Sequence, residues 1–133
     1  MQGHTPRRLA PGTGLPPTPA ILIAAVSTAA QVDSAIAAGA DMIDAAGLSD
    51  QAVAAMRARH PGVRLWAGSP DAVDTGSLRA LPVAAVVARA AVLTWLGTPA
   101  IRTRHVLPVR RAIDMTSSIA GTRLPSLTTR GLG

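Results

Sequence analysis

The chain has 133 residues, 48% of them apolar, and a formal net charge of +6. That length accommodates one domain and excludes a complete eight-fold β/α barrel, which takes roughly 250 residues and rarely fewer than about 200. The 13 basic residues are all arginine, the 7 acidic residues are all aspartate, and cysteine is absent. No disulfide framework and no thiolate metal site can therefore form.

Two tryptophans are the only aromatic residues. Without stacking platforms or a basic recognition helix, the positive charge argues against nucleic acid as a partner. A core of alanine, valine, isoleucine and leucine buries less area per residue than one with large aromatics, so modest stability or help from a partner is expected. The apolar run Pro82–Leu96 is broken by Arg89 and is too short to span a bilayer. The stretch after Arg7 and Arg8 is rich in proline and glycine and cannot form the apolar helix of a secretory signal. These features predict a cytoplasmic protein with no membrane partner.

Residues 1–19 lack apolar periodicity and are expected to be a disordered arm, as is the tail 122–133. Between them, 20–121 reads as one α/β domain. Ile21–Val26 is a continuous apolar run, the pattern of a strand buried on both faces. Ser27 or Thr28 then caps a helix over Ala29–Ala38, with Val32, Ala35 and Ile36 inward and Gly39 as its stop. Asp41–Ala46 follows as a second strand. Ser49 or Asp50 caps a second helix, Gln51–Arg59, which Pro61-Gly62 end. Val63–Ala67 reads as a third strand leaving through Gly68-Ser69-Pro70. Strands and helices alternating at this spacing imply right-handed β-α-β units and a parallel sheet.

Asp71–Leu81 is either a loop or a short helix. Pro82–Leu96 is either one helix or a strand (Val83–Val87) followed by a short helix. The β-branched Val83, Val86 and Val87 favour the second alternative, which makes five consecutive β/α units. The chain then runs through the short apolar segment Ala100-Ile101 into Arg102, Arg104 and His105. After Pro108 it forms a helix with Val109, Ile113, Met115 and Ile119 at its apolar positions. Ligands of α/β sheets sit outside the carboxyl ends of the strands. Three groups able to bear positive charge at such an exit suit a phosphate, because guanidinium forks match its oxygens. The alternative is solvated loop charge with little energetic meaning.

The segment WLGTPAIRTRHVLPVRRAIDMTSSIAG resembles the end of dihydropteroate synthase, a family whose barrel closes with a strand R-x-H-D-V and a helix R-R-A-x-D-M. AAVST followed by AGADMIDAAGLSD resembles that family's S-I-D-T strand and its A-G-A-x-x-I-N-D-V-S-G segment. RLWAGSPDA is similar to the next strand and loop. The resemblance implies a partial TIM-barrel-like array of parallel β/α units, and it favours a single helix over Pro82–Leu96.

It also implies site residues. The family's pterin-binding Asp falls on Ser27 and its pterin-binding Asn on Asp44, where a carboxylate can accept from a pterin's amino and N–H groups. The Asp after that Asn becomes Ala45. The family's anion-binding Arg falls on Arg102, its His on Arg104 and its Asp on His105, so Arg102, Arg104 and His105 are the expected phosphate ligands. Nothing matches the family's N-V-T-x-D-S-F-S-D, D-P-G-x-G-F or S-R-K segments, and the chain has no lysine. The family joins a pterin diphosphate to 4-aminobenzoate, and charge develops on the departing diphosphate, so lost cations weaken catalysis. The resemblance therefore implies a pterin-binding protein of folate biosynthesis, impaired or inactive alone, with magnesium entering only alongside a diphosphate.

Its alternative is a non-catalytic protein that forms a homo-oligomer or pairs with a full-length homologue through Trp95, Leu96 and Ile113. A degraded fragment with no function is the third reading. More ordinary roles compete at single residues. Asp44 is a binding carboxylate or a cap, Asp41 caps or solvates a strand start, and Asp33 and Asp114 lie on wet helix faces. His60 favours a helix C-terminus. Trp66 and Trp95 belong to the core or an interface, and Gly47 and Gly68 to turns.

Overall fold

The computed structural model describes residues 19–68, 71–75 and 81–121; the two expected disordered ends lie almost wholly outside them. The elements in chain order are β1 (Ile21–Ala25), α1 (Ala29–Ala37), β2 (Met42–Asp44), α2 (Asp50–Arg59), β3 (Ala72–Asp74), α3 (Val83–Trp95), β4 (Ala100–Thr103) and α4 (Val106–Ala120). The strands form one sheet in the order β2-β1-β4-β3, and every pairing is parallel. A single parallel bridge from Ile43 to Leu65 adds a rung beyond β2.

Local chemistry sets the helix starts. Thr28 Oγ1 accepts from Gln31 N at 3.1 Å, and Ser49 Oγ accepts from Ala52 N at 3.1 Å. Each satisfies one of the orphan donors of a first turn. Asp50 in the first turn of α2 and Arg57 and Arg59 in its last turn complement the helix dipole. At the far end of α4, Gly121 takes the left-handed conformation, φ 83°.

Register divides the sheet into two unlike faces. Leu22, Ala24, Ile43 and Ile101 join Val32 and Ala35 of α1, Met56 of α2, Val86 and Ala90 of α3, and Val106, Val109 and Ile113 of α4 in one buried cluster. All four helices thus pack on the same side. Alternation along a strand sends the next residues to the other side. There Ile23 pairs with Met42 and Arg102, Ala25 with Asp44, and Asp74 with Arg102. No described helix covers that open face, yet Ile23 at its centre is 1% exposed.

The structure corrects four expectations. The third strand, Val63–Ala67, contracts to the bridge at Leu65. Asp71–Leu81, expected as a loop or short helix, contains a strand, β3, at Ala72–Asp74, while its residues 76–80 lie outside the described residues. Pro82–Leu96 is one helix: α3 packs along α4 and buries Val86 and Ala90, so tertiary contact overrides the β-branched preference of its valines. α4 begins at Val106, two residues before Pro108, because proline is tolerated in a first turn, whose N–H groups lack helical partners anyway. Of the apolar residues expected along α4, Val109 and Ile113 are buried, whereas Met115 and Ile119 are exposed.

Asp33 and Asp114 are not simply solvated. Asp33 Oδ1 lies 2.7 Å from His60 Nε2 and its Oδ2 lies 2.9 Å from Arg59, tying α1 to α2. Asp114 pairs with Arg110 at 2.9 Å. Arg110 also reaches Asp41 at 3.1 Å and donates to the Gly39 carbonyl at 3.3 Å. Gly39 itself has φ +100°, and a Cβ there would lie 2.8 Å from Arg110 Cδ. Gly39→Ala therefore combines backbone strain with displacement of this arginine, and is expected to cost about 1–3 kcal/mol in urea unfolding.

Candidate functional site

The carboxyl ends of β2, β4 and β3 carry Asp44, Arg102 and Asp74, and register places all three on the open face. Arg102 bridges the two carboxylates. Its Nε donates to Asp44 Oδ2 at 2.7 Å and its Nη1 to Asp74 Oδ2 at 2.6 Å. Asp44 Oδ1 accepts from Ala46 N at 3.1 Å, a local turn that fixes the carboxylate at the strand end. The side chains are 8% exposed for Asp44, 28% for Arg102 and 25% for Asp74.

Two carboxylates against one guanidinium leave this cluster with one formal negative charge. Burial works against the charge on Arg102, but it is outweighed by hydrogen bonding and charge interaction with Asp44 and Asp74, so the guanidinium pKa is raised above its ordinary value. A base held up in this way contributes stability at every pH below its unfolded value and loses it only above the raised native one. Titration of Arg102 thus has no part in stability near neutrality.

Past the end of β1, between α1 and α4, lies a cleft of about 520 Å³ lined by Ser27, Gln31, Ser34, Ala38, Arg104 and Leu107 among others, and by none of Asp44, Arg102 and Asp74. Ser27 N donates to Gln31 Oε1 at 2.6 Å. The loop after β2 closes on the same turn: a Cβ on Gly47 would lie 3.0 Å from the Val26 carbonyl oxygen and 3.6 Å from Ser27 Oγ. Arg104 is exposed and makes no ion pair with any described residue. His105 is the N-cap of α4, with its backbone N–H donated to Thr103 Oγ1 at 3.0 Å; it does not line the cleft.

The residues expected to share a ligand thus fall into two adjoining groups. Asp44 and Arg102, 58 positions apart, are in direct contact, and Ser27 and Arg104 line one cleft. An anion would meet Arg104 as a cation with no ion pair among the described residues, whereas Arg102 already pairs with two carboxylates. Among the described residues no group of three or more His, Cys, Asp or Glu side chains is placed to hold a metal ion.

Three participants escape the sequence reading. Asp74 sits in the stretch with no assigned element, although Ala72-Val73-Asp74 repeats the apolar-then-aspartate ending of Met42-Ile43-Asp44. Gln31 carries a signal too, since Thr28-x-x-Gln31 has capping-box spacing. Trp66 has a buried indole Nε1 with no hydrogen-bond partner among the described residues, which no sequence pattern announces. Comparison with protein-family models, curated protein sequences and solved structures finds no match to this chain.

Proposed function

We propose that the chain is a dihydropteroate-synthase-like, pterin-binding protein of folate biosynthesis, built as a partial β/α barrel and catalytically impaired on its own. The observation that carries this reading is the 2.7 Å contact between Asp44 and Arg102: two residues that the sequence resemblance assigns to one ligand meet at the carboxyl ends of β2 and β4. The topology supports it. Helices on one face, parallel strands throughout and pairing of β1 with the last strand, β4, all suit an array wound in one direction, as a barrel is. In this reading Asp44 accepts from the amino and ring N–H groups of the heterocycle. Arg104 and Ser27 take the phosphate, with His105 at the edge, and Arg102 orients the Asp44 carboxylate through its 2.7 Å hydrogen bond. Magnesium would arrive bound to a diphosphate, since the open-face carboxylates are already engaged by Arg102. If the chain retains catalysis, it is transfer of the pterin onto 4-aminobenzoate. Fluorescence titration with hydroxymethyl-dihydropterin diphosphate, with and without magnesium, tests the reading.

A second reading, self-association or pairing with a full-length homologue, is favoured by one observation. The C-terminal parts of α3 and α4 expose Val92, Trp95, Leu96, Met115 and Ile119, an unusual concentration of apolar surface. Ile113 cannot carry such a contact, because it is fully buried in the chain's own core. Sedimentation velocity tests both forms: a concentration-independent monomer rejects self-association, and no faster-sedimenting species on mixing with a full-length homologue rejects pairing.

A further inference from the structure

α3 is apolar on its outward side as well as its inward one. Val86 and Ala90 are buried, while Ala88, Val92 and Leu96, a row at i, i+4 spacing, lie exposed. Its one charged residue is Arg89, and the Thr94 hydroxyl is spent on the Ala90 carbonyl at 2.8 Å. α4 packs beside it and runs the same way, because one helix leads into β4 and the other leaves it. The outward row of α4 holds Arg111, Met115 and Ile119, all exposed. A helix apolar all round is ordinarily covered on every side. Two outward ridges on packed helices leave a groove that accepts the ridge of a third.

Charge decides what fits there. Arg89 and Arg111 are exposed and make no ion pair with any described residue. The other charged groups of α4, Arg110 and Asp114, pair with each other, and Arg110 turns toward Asp41. A second copy of the chain would bring the same two arginines to the contact, on a molecule of net charge +6. The chain's own ends, 1–18 and 122–133, contain no acidic residue, since all 7 aspartates lie between Asp33 and Asp114. Asp33, Asp41, Asp44, Asp74 and Asp114 are already held in ion pairs. The carboxylates that would complement this face come from elsewhere.

We infer that the outward face of α3 and α4 docks an amphipathic helix of another protein. Its apolar stripe lies between the two helices, and acidic residues flanking the stripe pair with Arg89 and Arg111. Trp95, exposed next to Leu96, is the kind of residue that anchors such contacts. The inference goes beyond self-association, because its occupant carries the opposite charge pattern, and it shares no residue with the pterin site.

The test is fluorescence anisotropy of a labelled synthetic helix titrated with the full chain. The peptide carries leucines at i, i+3, i+4 and i+7 with glutamates on both flanks; a second peptide has lysine at each glutamate position. The glutamate peptide should bind saturably, and the lysine peptide about tenfold or more weakly. Arg89→Glu combined with Arg111→Glu should reverse that order without moving the melting temperature, since both side chains are exposed. Binding of neither peptide, equal binding of both, or an order that survives the charge reversal overturns the proposal. A dimer in sedimentation velocity that Val92→Asp dissolves and the glutamate peptide does not displace assigns the face to a second copy, and overturns it too. None of these outcomes bears on the pterin titration, which reads a different part of the molecule.

Discussion

Arg102→Ala is expected to destabilise the chain by about 2–4 kcal/mol, read as a lowered urea midpoint. The substitution strands the Asp44 carboxylate, whose side chain is 8% exposed, beside Asp74 on the same sheet face. Removing one partner of a largely buried ion pair leaves a charge that neither water nor protein solvates well, which costs more than the pair itself contributes. The comparison that isolates this cause is Asp44→Asn, Arg102→Met and Asp74→Asn combined. With every charge removed together, most of the loss should return. If the triple variant is as unstable as Arg102→Ala, the packing of the arginine stem over the sheet, and not the stranded charge, is responsible.

Leu22→Ala is expected to cost about 3–5 kcal/mol. Leu22 is fully buried on β1, which pairs with both β2 and β4, and its side chain sits in the cluster shared by all four helices. A cavity there has rigid walls on every side and little means of collapse. Its backbone anchor is unaffected, since Leu22 N donates to Asp41 Oδ2 at 2.8 Å. Met115→Ala is the control: at 66% exposure it should change stability by no more than about 0.5 kcal/mol in a monomer. The same unfolding experiment measures both.

The first half of the domain is readable from sequence because each element carries its own punctuation. β1 is an unbroken apolar run, Thr28 and Ser49 are capping residues, and Gly39 and Pro61-Gly62 stop the helices. Beyond Gly68 the signals thin out. β3 has three residues, too few for a period of two to show. α3 is apolar nearly all round, so periodicity does not reveal its helical state; its contact with α4 does. Met115 and Ile119 lie on the outward side of α4: its buried stripe runs Val106, Val109, Ile113 and Ser117, so a serine and not an apolar residue takes the last core position.

The site divides along the same line. Asp44 and Arg102 are recognisable at strand ends, and they prove to be mutual partners, which only the sheet order β2-β1-β4-β3 can bring about. That order also gives Arg102 its second carboxylate, Asp74, from an element the sequence leaves unassigned. Of these two arginines, Arg104 is the one that makes no ion pair among the described residues. A charge count cannot distinguish two arginines separated by one residue, but the end of the strand can: β4 stops at Thr103, so Arg102 faces the open side within the sheet and Arg104 lies past its end.

The proposed site has two parts, one for a heterocycle at Asp44 and one for an anion at Arg104. Its most direct test is calorimetric titration of the wild type, Asp44→Asn and Arg104→Ala with hydroxymethyl-dihydropterin and with its diphosphate. Asp44→Asn is expected to weaken both ligands, whereas Arg104→Ala is expected to weaken the diphosphate about tenfold or more and leave the free pterin unchanged. Folded wild-type protein that binds neither ligand, or an Arg104→Ala variant that binds the diphosphate as tightly as wild type, would contradict it.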